Sequence, residues 1–331
     1  MYSARLLLFF GVFWFASAEA LSQAEALSQA EALSQAEALV KAEAPVNEYA
    51  VQAKRAVLAE DLDLAGDKIE QAIKSSPDDA RVYKIAGDIF ITRARLASLF
   101  SAPGLAKKGL KFYKKAVELA PDNTRYRLAL MTYYFGAPGI VGGDKKLGNQ
   151  QAERIKAIDP VYGAVADALR FRMTENLDAQ KQLFDPELST LDETIASSPV
   201  VRLQQALYLA GIDKGDDALV IMNELADIDP ASLSEGDDLF LPYKVMLQIG
   251  FLGLREETYL AQGAAAFQRY INEAPAAYDL MSYNWARFLL GQTHQKSGNE
   301  TLAKKTFTET MNSTKDKALK KELKKALKEL K

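Results

Sequence analysis

Residues 65–79, AGDKIEQAIKSSPDD, set a small residue first, a bulky one four places on, an alanine seven on and a proline twelve on. Residues 109–123, GLKFYKKAVELAPDN, repeat that pattern, pairing Ile69 with Tyr113, Ala72 with Ala116 and Pro77 with Pro121. Steps of four and seven fall on one face of a helix, so each segment predicts a helix with a single apolar face. The proline stops it, because its nitrogen has no proton to donate. Ten residues after Pro77 stands Gly87, the small residue expected on the next first helix, one repeat of 34 residues after Ala53. A small residue lets a neighbouring helix approach closely. The pattern therefore predicts paired helices, repeated along the chain.

This spacing resembles the tetratricopeptide repeat, with the two quoted segments in the place of its second helix. The predicted fold is all-α: a tetratricopeptide-type helical-hairpin solenoid, a right-handed superhelix of about seven helix pairs. Prolines at Pro160, Pro199, Pro230 and Pro275 continue the series at irregular intervals, so the middle units depart from the pattern. The last unit recovers it, with Leu290, Gly291, Gly298, Ala303 and Phe307 in register.

The ends of the chain read differently. Residues 1–18 hold one charge at Arg5, an apolar run from Leu6 to Phe15 and Ala16-Ser17-Ala18, the form of a cleaved secretory signal; the run is short for a spanning anchor. Residues 19–46 contain the hexamer ALSQAE, whose leucines at Leu21, Leu27, Leu33 and Leu39 advance about 240° per step and make no coiled-coil seam. This is a helix-favouring spacer, and the solenoid follows over 47–314. Residues 315–331 form a lysine-rich amphipathic helix with Leu319, Leu323, Leu327 and Leu330 in one stripe. It caps the last repeat, or alternatively lies on an anionic membrane surface.

Composition narrows the chemistry. The 331 residues carry 41 basic and 44 acidic side chains, a net charge of -3, which disfavours general nucleic-acid binding. No cysteine is present, which excludes disulfides, thiolate metal sites and a cysteine nucleophile. His294 is the only histidine and sits at a packing position of the last repeat. Asp61-Leu62-Asp63 lacks the remaining ligands of a calcium loop. No motif assigns a catalytic residue, a metal or a cofactor.

Two segments exceed a minimal repeat, and both are expected as loops between the helices of their pair. They contain Pro103-Gly104 and Pro138-Gly139, and equivalent insertions in a solenoid emerge along one edge, so the two should be neighbours. The second continues through Gly142, Gly143, Asp144 and Lys145. It fails as a phosphate loop, since Asp144 puts negative charge where phosphate would sit. The glycines instead permit a tight reversal, and Asp144 caps the helix that follows. The run GAPGIVGGDKK at 136–146, with AERIKAIDP at 152–160, resembles a family of exported bacterial tetratricopeptide proteins carrying a P-G-I-x-G-G loop, over roughly Tyr83 to Gly163. That resemblance implies a periplasmic or secreted location and a binding role without an established reaction.

Resemblance to the repeat family also implies a concave groove lined by the first helices. It assigns to the groove Arg81, Lys84, Asp88, Ile91 and Thr92 in the second unit, and Arg125, Leu128, Thr132 and Phe135 in the third. In the seventh it assigns Trp285, Phe288, Gln292, Gln295 and Lys296. Basic, aromatic and amide groups together suit a protein or peptide partner with an acidic component. The expected function is a non-catalytic scaffold in the cell envelope. The alternative is a ligand-carrying partner of a periplasmic transport system, which requires a closed pocket rather than an open groove.

Overall fold

The computed structural model describes residues 47–185, 187–233, 238–278 and 280–330. The expected signal peptide and ALSQAE spacer lie outside the described residues. Among those described there are sixteen α-helices and no strand. Fourteen of the helices form seven pairs. In chain order these are α1 Glu48–Leu58 with α2 Leu62–Ser75, α3 Ala80–Leu96 with α4 Ala102–Leu119, α5 Thr124–Gly136 with α6 Lys145–Ile158, and α7 Pro160–Met173 with the short α8 Leu177–Phe184. A single-turn α9, Glu193–Ser197, precedes α10 Pro199–Gly211 with α11 Gly215–Ala226, α12 Leu241–Arg255 with α13 Leu260–Glu273, and α14 Tyr283–Lys296 with α15 Glu300–Ser313. The last helix is α16, Lys317–Glu329. No described helix is long and apolar enough to cross a membrane.

Local chemistry sets these boundaries. Asn47, Asp61, Asp79, Asn123 and Asp144 each accept a bond from a backbone N–H in the first turn of the helix they precede, satisfying a group that has no partner within the helix. Asp159 ends α6 and caps α7 at once, with Pro160 supplying the first helical residue. Pro160 and Pro199 thus open helices, whereas Pro77 and Pro121 follow helix ends by two residues.

Three of the pairs close on a notch in the first helix. A Cβ at Gly87 would stand 2.3 Å from the Tyr113 ring, and Gly250 with Phe267 and Gly291 with Phe307 repeat that arrangement at 2.4 Å. The ring of one helix therefore rests on the bare backbone of the other. The core is a series of clusters running from Ala53, Ile69 and Ile89 at one end to Phe288, Phe307, Leu319 and Leu323 at the other. The apolar stripe of α16 lies on the last pair, where Leu319 and Leu323 are fully buried.

Candidate functional site

The two ends of the solenoid meet. Glu60 occupies the turn between α1 and α2 in a left-handed conformation, φ 59°. Its carboxylate accepts bonds from Asn284 Nδ2 at 3.0 Å, Thr314 Oγ1 at 2.6 Å, and the backbone N–H groups of Lys315 at 2.8 Å and Asp316 at 3.1 Å. Burial pushes this carboxyl up, but the bonds from Thr314, Asn284, Lys315 and Asp316 together outweigh it and hold the group below the ordinary glutamate value. Tyr278 makes the second junction, packing against the first-unit core with Lys54 Nζ 4.7 Å from its ring centre.

Beside that closure lies an open cavity of about 1080 Å³, lined by α1, α3, α4, α5 and α7 and, from the far side, by Asp238, Lys244 and Tyr278. Six basic side chains line it, Lys54, Arg81, Lys84, Arg95, Arg125 and Lys244, against one described acid, Asp238. Most are held in place. Arg81 forks onto Asp79 at 2.7 and 3.0 Å, Lys84 Nζ lies 2.7 Å from Asp88, and Lys244 Nζ lies 2.7 Å from Asp238. Arg125 Nε donates to the Tyr162 hydroxyl at 3.3 Å. Tyr113 donates to the second oxygen of Asp88 at 2.9 Å, and burial, then the Asp88 charge, raises its hydroxyl far above the ordinary tyrosine value. It stays a neutral donor.

The edge loops sit at one end of this cavity. Tyr133 ties them together, its hydroxyl lying 2.8 Å from the Val141 carbonyl and 3.2 Å from that of Ala106. Gly143 packs where a Cβ would stand 1.7 Å from the Ala137 carbonyl oxygen, and Gly142 has φ 97°, so only glycine suits this reversal. Asp144 caps α6 through the N–H groups of Lys146 and Leu147, and Lys145 begins that helix. The equivalent segment differs. Pro103 and Gly104 lie in the first turn of α4 rather than in a loop, because proline at the start of a helix gives up no needed donor. The two segments are nonetheless neighbours, with Pro103 and Pro138 lining the same cavity. Leu99, Phe100 and Ile140 stand 91%, 97% and 78% exposed beside them.

The groove frame divides on this geometry. Arg81, Lys84, Ile91, Arg125, Leu128 and Thr132 line the cavity, and Asp88 stands directly behind Lys84. Phe135 does not belong with them: it packs on Gly148 between α5 and α6. Phe288 is buried against Phe307 and the C-terminal helix, and Trp285 donates its indole N–H to Asp316 at 2.9 Å. Both were assigned to an open groove, but α16 covers them. Gln292 and Gln295 are half-buried on α14, outside the cavity lining, and Lys296 is bonded to the Leu254 carbonyl. Lys54 and Lys244 went unassigned although the repeat frame reaches them: Lys54 follows Ala53 as Asp88 follows Gly87, and Lys244 precedes Gly250 as Arg81 precedes Gly87. Nothing local marks Glu60 or Tyr278.

No family model matches this chain, and no curated protein matches it. Among solved structures, a tetratricopeptide repeat protein from Parabacteroides merdae is similar at 16% identity, covering 86% of this chain and 97% of its own, with a TM-score of 0.43. The tetratricopeptide domain of P58(IPK) is similar at 12% identity, covering 87% and 98%, with a TM-score of 0.25. The repeat type stands on this chain's own seven helix pairs, three of which set a glycine of the first helix against an aromatic ring of the second. They are tetratricopeptide-type hairpins.

Proposed function

We propose that this protein is an exported, non-catalytic binding protein whose working site is the central cavity, and that its ligand is anionic. One observation carries this: the bonds from the last unit to Glu60 join the ends of the solenoid beside an open cavity lined by six basic groups, of which Arg81, Lys84 and Lys244 are held by Asp79, Asp88 and Asp238. A space of about 1080 Å³ is at the scale of small-molecule pockets. An open groove for an extended peptide would leave its ends apart. The joined ends of the solenoid favour the ligand-carrying alternative over the groove scaffold, and the signal-like residues 1–18 support an envelope location.

A protein contact remains part of this function at the rim of the cavity. Leu99, Phe100 and Ile140 project from the loop edge rather than into a core, so a transport partner would meet the carrier there.

Native mass spectrometry of the protein purified gently from its host tests the assignment. A recurrent adduct below about 1 kDa, lost in the double variant Lys84→Gln, Arg125→Glu at unchanged helicity, is the expected result. A bare monomer, or an adduct indifferent to both substitutions, overturns it; a discrete protein adduct at the cavity would restore the groove scaffold.

A further inference from the structure

The outward face of α16 is a row of lysines. Lys317, Lys321, Lys324 and Lys328 follow one another by four, three and four residues, so they fall within about 60° of one another and span about 16 Å of the helix. All four are exposed. The row lies opposite the stripe of Leu319, Leu323 and Ala326, which is buried on the last pair. Glu322 and Glu329 stand about a third of a turn round the helix from it, and among the described residues none of the four lysines makes an ion pair. The preceding helix differs, since there Lys305 and Glu309 pair four residues apart at 3.9 Å. Capping accounts for the buried stripe but not for the row. A cap needs only a polar outer face, and glutamate alternating with lysine would supply one with favourable pairs. Lysines three and four apart repel instead and lower helix stability. The row is also held in place. Asp316 accepts bonds from the N–H groups of Ala318 and Leu319 and from the Trp285 indole, while Glu60 accepts from the backbone of Lys315 and Asp316.

Independently of the cavity assignment, we infer that this row lies on an anionic lipid surface, attracted by charge while the apolar stripe stays on the last pair. Two chemical features choose lipid over a protein. Every exposed residue of α16 is charged, and the helix contains neither arginine nor an aromatic residue, whereas protein interfaces are rich in those two and poor in lysine. An ammonium is also a hydrated point charge that makes no fixed fork with a single carboxylate, so a row of them suits a continuous field of head-group charge. The contact differs from that of an ordinary amphipathic membrane helix, which buries its apolar face among the acyl chains. Here that face is already occupied.

Cosedimentation of the full chain, purified after export, with vesicles of phosphatidylcholine or of an equal mixture of phosphatidylcholine and phosphatidylglycerol tests this. The mixed vesicles should bind it and the neutral ones should not. Binding should be lost as salt rises from about 0.1 M to about 1 M, where the screening length falls from about 10 Å to about 3 Å. Lys317→Gln, Lys321→Gln, Lys324→Gln and Lys328→Gln together should lower affinity about fivefold per lysine removed, at unchanged helicity. Should that variant fail to fold, Lys321→Gln with Lys324→Gln should lower it about twenty-fivefold. The charge-matched set Lys107→Gln, Lys111→Gln, Lys145→Gln and Lys146→Gln, exposed on α4 and α6, should leave affinity within about twofold of the parent. Trp285, the only tryptophan outside residues 1–18, should keep its emission on binding, because its indole stays bonded to Asp316. Equal binding to neutral and mixed vesicles, equal loss in the two charge-matched sets, or a Trp285 emission shift as the stripe leaves the last pair overturns the inference. So does the absence of binding to either vesicle; a discrete protein adduct lost in the α16 variant alone would then assign the row to an acidic protein.

Discussion

The Thr314 hydroxyl donates to the Glu60 carboxylate at 2.6 Å although 254 residues separate them in the chain. A helical solenoid holds its shape mostly through neighbouring repeats, so a contact between its two ends decides whether it is a crescent or a ring. Replacing Glu60 with Ala strands five donors that now share one carboxylate, from Ser282, Asn284, Thr314, Lys315 and Asp316. The ends should separate, with a loss of about 1–2 kcal/mol, discounted because the group is part-exposed. The chain has no cysteine, so spin labels at Gln71→Cys and Asn312→Cys report the distance cleanly. A broadened, longer distribution in the Glu60→Ala background is expected, and an unchanged one would show that Tyr278 alone closes the ring.

Closure should also depend on acid. The Glu60 carboxyl is lowered from its ordinary 4.5: burial opposes the shift, and the donors from Thr314, Asn284, Lys315 and Asp316 overcome it. A group whose folded value is depressed contributes stability that is fully present above its unfolded value and lost as pH falls through the folded value. The label distance should therefore hold steady from pH 7 down to about 4.5 and lengthen below it. In Glu60→Gln that acid transition should disappear.

Hairpins, caps and edge loop were legible in the residues because each depends on neighbours in sequence. Gly87 announces its partner by being small, and Asp144 caps the helix it precedes. Closure was not legible, because Glu60 is an ordinary turn residue until a chain end more than two hundred positions away supplies its donors. Trp285 and Phe288 were misplaced for a related reason. Their repeat positions face a groove in an internal unit, but here the lysine-rich α16 lies across them. Pro103-Gly104 and Pro138-Gly139 are alike in sequence and differ in structure, since Ala102 starts a helix whereas Ala137 ends one.

The loop reversal gives a paired test. At Gly143 an added methyl would stand 1.7 Å from the Ala137 oxygen, while both strands of the loop are pinned, Gly143 N–H to Pro138 at 3.1 Å and Asp144 N–H to Tyr134 at 2.9 Å. Gly143→Ala should cost about 1–3 kcal/mol in urea unfolding. At Gly139 nothing lies within 4 Å of such a methyl. Gly139→Ala should stay within about 0.5 kcal/mol of the parent protein. Equal effects at the two sites would mean that the Ala137 contact does not shape the loop.

Arg125 and Trp285 hold the same position in their repeats, and the structure gives them opposite roles. Arg125 is exposed at the cavity wall, where its Nε donates to the Tyr162 hydroxyl. Trp285 packs edge-on against Phe288, ring centres 5.8 Å apart, and fixes the first turn of α16 through Asp316. Removing the indole leaves a void beside Phe288 and frees the cap helix, so Trp285→Ala should lose about 2–4 kcal/mol. Ligand affinity, measured where the variant is still folded, should not change. Arg125→Glu should do the reverse: unfolding within about 0.5 kcal/mol of the parent and anion binding lowered at least about tenfold, because a carboxylate now faces the anionic ligand. If Trp285→Ala abolished binding without loss of stability, the ligand would lie against the last repeat and the cavity would not be the site.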